Sequence, residues 1–177
     1  MKKTNTLKYI SYAVIAVIGI AIDQIVKAWA YNELRPVGSI PLIKDVFHFT
    51  YRENTGAAFS FLAGNNVFFI FLTSTVILML LYLLLSGRVL NRVAEYCVLF
   101  IAMGGAGNLI DRFNYEFVVD MFDFTLINFA VFNVADIYVT FGSILFILIF
   151  LFTKGEVVDL ESRKQKPEVM EPEKEDN

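Results

Sequence analysis

Residues 132–152 read FNVADIYVTFGSILFILIFLF, an apolar run interrupted near its start by Asn133 and Asp136. A helix of about 20 apolar residues is long enough to cross the hydrocarbon core of a bilayer. Hydrophobic residues make up 56% of the 177 residues, more than a soluble domain of this size can bury. We therefore predict an all-α membrane protein with four transmembrane helices, the other three at about Tyr9–Ala30, Val67–Ser86 and Val93–Ile110.

The positions of lysine and arginine indicate how the four helices are oriented. Basic residues lie before the first stretch, between the second and third, and after the fourth: Lys2, Lys3, Lys8, Arg88, Arg92 and Lys154. Positive residues are concentrated on the cytoplasmic side of membrane proteins. We therefore predict that both termini are cytoplasmic and that residues 31–66 and 111–131 face outward.

The first apolar stretch also fits a cleavable signal peptide. Residues 1–8 are basic, residues 9–22 are apolar, and Ala28-Trp29-Ala30 is a passable cleavage site. Against cleavage, three polar residues crowd the region just before that site, namely Asp23, Gln24 and Lys27. The pattern alone leaves both interpretations open.

The first outward segment, residues 31–66, has the pattern of a β-strand rather than a helix. Aromatic residues alternate with polar ones from Val46 to Arg52, a period of two that is typical of strands. Asn54-Thr55-Gly56 then supplies a turn. We predict a small extracytoplasmic β-sheet here, with its aromatic edge at the membrane interface.

Negative charge is concentrated at the C-terminus. Residues 155–177 hold eight acidic and four basic side chains, whereas the rest of the chain has a net charge of +1. Because this acidic tail offers little apolar side chain to pack, we predict that it is disordered and cytoplasmic. Residues 1–154 then form one transmembrane domain. The chain has no basic cluster outside its termini, which argues against nucleic-acid binding.

Several catalytic chemistries are excluded by the residues available. One histidine, His48, and one cysteine, Cys97, cannot build a zinc site or a disulfide, and neither HExxH nor GxSxG occurs. A Ser–Lys dyad is disfavoured because Lys27 lies one helical turn from Asp23, a spacing that favours an ion pair and keeps the lysine charged. No metal or cofactor is predicted, and carboxylates remain as the candidate catalytic groups.

Two aspartates stand out by their position. Asp120 follows the third predicted helix and Asp136 opens the fourth, so both fall at the outer boundary of the membrane. Two carboxyl groups held close together cannot comfortably both ionise, and one shared proton is what an aspartic peptidase requires. For Asp136 alone, capping of the helix is an equally good explanation. Asp123 is interpreted as a solvated residue without a catalytic role.

The third predicted helix carries small and polar residues near its outer end. The run from Gly104 to Gly107 allows a neighbouring helix to approach closely. Asn108, Asp111 and Arg112 follow at the outer boundary, where Asn108 and Arg112 are placed to orient a substrate or the aspartate pair.

Four blocks of this sequence together resemble bacterial lipoprotein signal peptidase, also called signal peptidase II. They are DQIVK at 23–27, ENTGAAFSF at 53–61, GGAGNLIDR at 104–112 with VVD at 118–120, and FNVAD at 132–136. Their order and spacing match the family and cover nearly everything except the acidic tail. The resemblance implies that the first helix is retained and that Asp120 and Asp136 are catalytic. The residues expected to bind substrate or support the pair are Asp23, Lys27, Asn54, Gly105, Asn108, Asp111, Arg112 and Asn133.

The same resemblance implies the substrate and the location. The expected substrate is a prolipoprotein whose cysteine carries a diacylglyceryl group, cleaved just before that cysteine at the outer face of a bacterial plasma membrane. Membrane lipid and globomycin-type inhibitors are the other expected partners. Family members usually have Gly, Phe and Pro where this chain has Glu116, Met121 and Ala130. A small ion- or proton-coupled transporter is the alternative, since intramembrane Asp and Lys are also typical of transporters.

Overall fold

The protein is described by a computed structural model that covers residues 2–56, 64–153 and 157–158. Within these residues the architecture consists of four long helices and a three-stranded sheet. In chain order the elements are α1 (Lys2–Trp29, continued by a π-helical turn, Ala30–Leu34), β1 (Ser39–Ile43), β2 (Phe47–Asn54), α2 (Asn66–Leu85), α3 (Arg92–Tyr115), β3 (Val118–Asp123), a short 3₁₀ turn (Thr125–Ile127) and α4 (Val134–Phe152).

All four helices are long and apolar enough to cross a membrane, as predicted. The shortest, α4, has 19 residues, which at 1.5 Å per residue gives a length of about 28 Å. Half of the α3 span is buried inside the protein, against 11–17% of the other three spans. α3 is therefore the central helix, and α1, α2 and α4 present most of their apolar surface outward, as expected where lipid is the solvent.

Glycines allow the central helix to pack closely against α4. A methyl group built on Gly104 would lie 2.4 Å from the backbone oxygen of Ala135, and one built on Gly142 would lie 2.9 Å from the backbone oxygen of Cys97. Small residues have this role at helix interfaces in membranes. The close approach brings the last turns of α3 alongside the first turn of α4.

The sheet is antiparallel, in the order β1-β2-β3. The predicted strand is present as β2, and Arg52 on β2 lies opposite Asp120 on β3. The third strand lies within residues 111–131, for which the sequence predicts an outward position but no strand. The backbone nitrogens of Met121 and Phe122 donate to the oxygen of Phe132, at 3.0 and 2.8 Å. These bonds join β3 to the chain just before α4.

At the other end of the bundle, α1 and α3 are joined by a second polar cluster. Glu95, buried on α3, accepts hydrogen bonds from Lys8 and, at 2.6 Å, from the Tyr12 hydroxyl. Val157 is fully buried nearby, and its backbone oxygen accepts from the nitrogen of Leu90 at 2.8 Å. The rest of the predicted acidic tail, residues 155–156 and 159–177, lies outside the described residues.

Candidate active site

The two predicted aspartates meet where β3 approaches the start of α4. Asp120 is on β3 and is 1% exposed, while Asp136 is in the first turn of α4 and is partly exposed. α4 begins with a capping box, in which the Asn133 side chain accepts from the Asp136 nitrogen at 3.0 Å and Asp136 Oδ2 accepts from the Asn133 nitrogen at 3.1 Å. Asp136 therefore caps the helix with Oδ2, and its other oxygen, Oδ1, accepts from a different residue.

Asn133 joins the two carboxyl groups. Its side-chain nitrogen donates to Asp120 Oδ1 at 2.6 Å, and its backbone nitrogen donates to Asp136 Oδ2. Asn133 is fully buried, so these bonds are formed away from water. A single buried residue thus fixes both aspartates with respect to each other.

Two further asparagines complete the hydrogen bonding of the pair. Asn54, at the end of β2, donates to Asp120 Oδ2 at 3.0 Å. Asn108, on α3, donates to Asp136 Oδ1 at 2.8 Å and accepts from the Asn133 amide at 3.1 Å. Four separate elements therefore converge on the two carboxyl groups.

The surroundings of Asp120 favour its protonated form. Burial, followed by the nearby carboxylate of Asp136, raises the pKa of Asp120 to about 7, against the lowering effect of the bonds from Asn54 and Asn133. Desolvation disfavours a charged carboxylate, and a second negative charge adds to that effect. The pair can therefore hold one proton near neutral pH, which is the state required for acid and base catalysis by two carboxyl groups.

Arg112 brings a buried positive charge to the same region. It is 8% exposed, donates to the backbone oxygen of Gly56 at 2.8 Å and lies 5.0 Å from the centre of the Phe69 ring. The predicted turn at Asn54–Gly56 is thus attached to the end of α3. Residues 57–61 of the ENTGAAFSF block lie outside the described residues.

A buried ionic cluster lies between α1 and α3, next to the partners of the aspartate pair. Lys27 lies 3.0 Å from Asp23, as the spacing of the two residues predicts, and 3.1 Å from Asp111. Gln24 joins the two carboxylates by donating to Asp23 at 3.2 Å and to Asp111 at 3.1 Å. Gln24 was not among the predicted site residues, although its place beside Asp23 on an otherwise apolar helix was a usable signal.

Gly105 does not lie at the site. Its nearest neighbours are the side chains of Ile77 and Thr73 on α2. The glycine that borders the site is Gly107, where an added methyl group would lie 2.5 Å from Asp23 Oδ2. The sequence predicted only a packing role for Gly107.

The three departures from the family pattern differ in their surroundings. Glu116 ends α3 in the left-handed region, with φ of 67°, where glycine is the favoured residue. Met121 is fully buried on β3, next to Asp120, and packs with Ala30, Leu34 and Val119. Ala130 is half-buried in the segment that leads to α4. None of the three side chains forms a described hydrogen bond to the aspartate pair.

The sequence predicts neither a metal site nor a catalytic role for Asp123. Within residues 2–56, 64–153 and 157–158, no three His, Cys, Asp or Glu side chains are grouped so as to hold a metal ion. Asp123 accepts from the Thr50 hydroxyl at 2.8 Å, on the sheet.

Comparison with known proteins gives consistent similarities. A family model described as signal peptidase (SPase) II matches residues 15–152. The lipoprotein signal peptidase of Clostridioides difficile strain 630 is 40% identical over 145 residues, which are 82% of this chain and 97% of that protein. The lipoprotein signal peptidase of Nostoc punctiforme is 43% identical over 154 residues, 87% of this chain and 94% of that protein. A solved structure described as a bacterial membrane enzyme aligns with a TM-score of 0.76 and 28% identity, over 90% of this chain and 94% of that one. The transporter alternative finds no support in these similarities.

Proposed function

This chain belongs to the signal peptidase II family, and we propose that Asp120 and Asp136 are the catalytic pair with which it cleaves its substrates. As a member of this family, the protein is a membrane aspartic peptidase that removes signal peptides from prolipoproteins. The observation that supports the assignment most strongly is the buried Asn133, which bonds to both carboxyl groups.

The proposed reaction uses the pair in one protonated and one ionised state. The ionised carboxylate takes a proton from a water molecule as the water attacks the peptide carbonyl. The protonated carboxyl group donates to the carbonyl oxygen, and a proton then passes to the leaving nitrogen. The raised pKa of Asp120 favours it as the protonated member, and the partial exposure of Asp136 favours contact with water. The two groups titrate as a unit, so neither carries the proton permanently.

The supporting side chains have two proposed roles, orientation of the aspartate pair and positioning of the substrate. Asn54, Asn108 and Asn133 are proposed to orient the carboxyl groups, because each donates to one of them. Arg112 is proposed to help position the substrate, since its guanidinium holds the turn that begins at Asn54, a hydrogen-bond partner of Asp120.

The finer features of the substrate and the location follow from the family resemblance. We propose a diacylglyceryl-modified prolipoprotein, cleaved just before the lipidated cysteine, with the acyl chains held in the surrounding lipid. The pair would lie at the outer face of a bacterial plasma membrane, with both termini in the cytoplasm and residues 1–154 as the peptidase domain. Globomycin-type cyclic peptides would bind at the same site. The lipid anchor would raise the local concentration of the scissile bond near the pair.

The assignment is tested with Asp120→Asn and Asp136→Asn, assayed on a lipidated prolipoprotein peptide in detergent micelles. Each variant should lose turnover completely while remaining folded, because an amide can neither accept nor pass on the proton. Asp123→Asn is the matched control, since this third aspartate of the region bonds to Thr50 rather than to the pair. Asp123→Asn should retain turnover. Wild-type cleavage by either of the folded Asp120 or Asp136 variants would refute the proposed mechanism.

A further inference from the structure

The residues just before the two proposed catalytic aspartates are held in the same way. The backbone nitrogen of Ala135, which precedes Asp136, donates to Asp23 Oδ1 at 2.8 Å. The backbone nitrogen of Val119, which precedes Asp120, donates to Asp111 Oδ2 at 3.0 Å. Both carboxylates are 1% exposed. Each catalytic aspartate is therefore preceded by a peptide group that is anchored to a buried carboxylate on another helix.

Lys27 connects these two anchoring carboxylates. Its ammonium group lies 3.0 Å from Asp23 and 3.1 Å from Asp111, and the residue is 2% exposed. Asp23 and Lys27 are on α1, whereas Asp111 is on α3 and the anchored peptides are on α4 and β3. One lysine thus joins the two attachments across four elements.

A third bond from Lys27 reaches Asn108, which is a hydrogen-bond partner of the aspartate pair. The ammonium donates to Asn108 Oδ1 at 2.8 Å. An ammonium group can only donate, so it holds the oxygen of the Asn108 amide toward α1. The nitrogen of that amide then points to Asp136, to which it donates at 2.8 Å. The Asn133 amide donates to the same Asn108 oxygen at 3.1 Å, so removing Lys27 removes one of the two donors that set the Asn108 amide toward Asp136.

We propose that Asp23, Lys27 and Asp111 form a positioning triad, which fixes the separation and orientation of Asp120 and Asp136 without touching the substrate. The proposal rests on the proposed function, because it assumes that these two aspartates are the catalytic pair. A gain in stability is a weak explanation for such a cluster. A buried ion pair is often replaceable by apolar residues with no loss of stability, since desolvating the charges offsets their attraction.

The chain offers a matched control for this triad. Lys8 is on the same helix as Lys27, and it bonds to Glu95 on the same partner helix as Asp111. The two lysines are 19 positions apart on α1, which places them about 28 Å from each other along the helix axis. Lys8→Met removes one link between α1 and α3, to Glu95, whereas Lys27→Met removes two, to Asp111 and Asn108, and only these two lie near the pair.

The experiment measures kcat and KM for both variants on the lipidated peptide, together with thermal unfolding in the same micelles. Lys27→Met should lower kcat by about 100-fold with KM within about threefold of wild type, because a displacement of about 1 Å at the reacting groups has an effect of this size. Lys8→Met should keep kcat within about threefold. An unchanged kcat in Lys27→Met, an effect on KM alone, or an equal loss of kcat in Lys8→Met would overturn the triad.

A second pair of variants keeps the proposal testable if Lys27→Met does not fold. Asp111→Asn retains a carbonyl oxygen that can accept from the Val119 nitrogen, whereas Asp111→Ala does not. The kcat of the Asn variant should be at least tenfold higher than that of the Ala variant. Equal kcat values would refute the proposal that the bond from the Val119 nitrogen to Asp111 positions Asp120. Asp120→Asn and Asp136→Asn are assayed in parallel. Activity in those two refutes the catalytic pair, whereas inactivity in them beside a wild-type kcat in Lys27→Met refutes only the triad.

Discussion

Gly104→Ala tests how closely α3 and α4 must approach for catalysis. The added methyl group would lie 2.4 Å from the backbone oxygen of Ala135 and 2.8 Å from the side chain of Val139. Contacts below 3.0 Å are not tolerated, so the helices must separate by at least about 0.6 Å at this point. Overpacking of this kind costs about 1–3 kcal/mol of stability.

Separating α3 from α4 would displace residues of the proposed active site. Asn108 lies one turn beyond Gly104, on the same face of α3, and Ala135 immediately precedes Asp136. Moving the helices apart therefore lengthens the 2.8 Å bond from Asn108 to Asp136. We expect kcat to fall by about 10- to 100-fold, since sub-ångström to 1 Å displacements of catalytic groups have effects of this order.

Gly105→Ala is the control for this prediction. The methyl group there would meet Ile77 at 3.3 Å, a flexible side chain on α2 rather than a backbone atom near the pair. Cleavage of the lipidated peptide and thermal unfolding would be measured for both variants in the same micelles. Equal activity and equal stability in the two alanine variants would refute the argument that the close contact of α3 and α4 sets the geometry of the site.

Two further predictions concern pH and the end of α3. Because burial and Asp136 raise the pKa of Asp120 to about 7, the shared proton is lost as the pH rises through this value, and kcat/KM should fall about tenfold per pH unit well above it. A pH–rate profile that stays flat up to pH 9 would contradict this. Glu116→Gly should raise the free energy of unfolding by up to about 1 kcal/mol, because the left-handed conformation costs an L residue about 1–2 kcal/mol and the greater freedom of glycine in the unfolded chain offsets part of that gain. Asn128, also at positive φ, supplies the comparison. Asn128→Gly should raise the free energy of unfolding by less than Glu116→Gly does, since asparagine tolerates this conformation. A larger increase in Asn128→Gly would refute the reasoning.

The prediction of the sheet shows where sequence patterns work and where they do not. β2 was predicted because its aromatic and polar residues alternate, which reflects a strand with two different faces. β3 was missed because Val118, Val119, Asp120 and Met121 are all at least 98% buried. A strand that is covered on both faces has no alternation to detect.

The glycines of α3 illustrate the same limit in a helix. Gly105 was grouped with the predicted site residues, but it faces α2, while Gly107 faces Asp23. α3 is packed by other helices on several sides, so its sequence carries no apolar stripe that would distinguish one face from another. Only the packing of α1, α2 and α4 around α3 decides which glycine borders the site.

The sequence by itself determined the membrane spans, the candidate aspartates and the ion pair of Asp23 with Lys27, because these depend on composition and on spacing along one helix. Hydrophobic length and the i, i+4 period are local properties that one segment is sufficient to express. The tertiary structure alone decided that Asn133 joins Asp120 to Asp136 and that Asp111 lies within reach of Lys27. Those contacts connect residues on different elements, and their distances depend on how the helices and the sheet pack together.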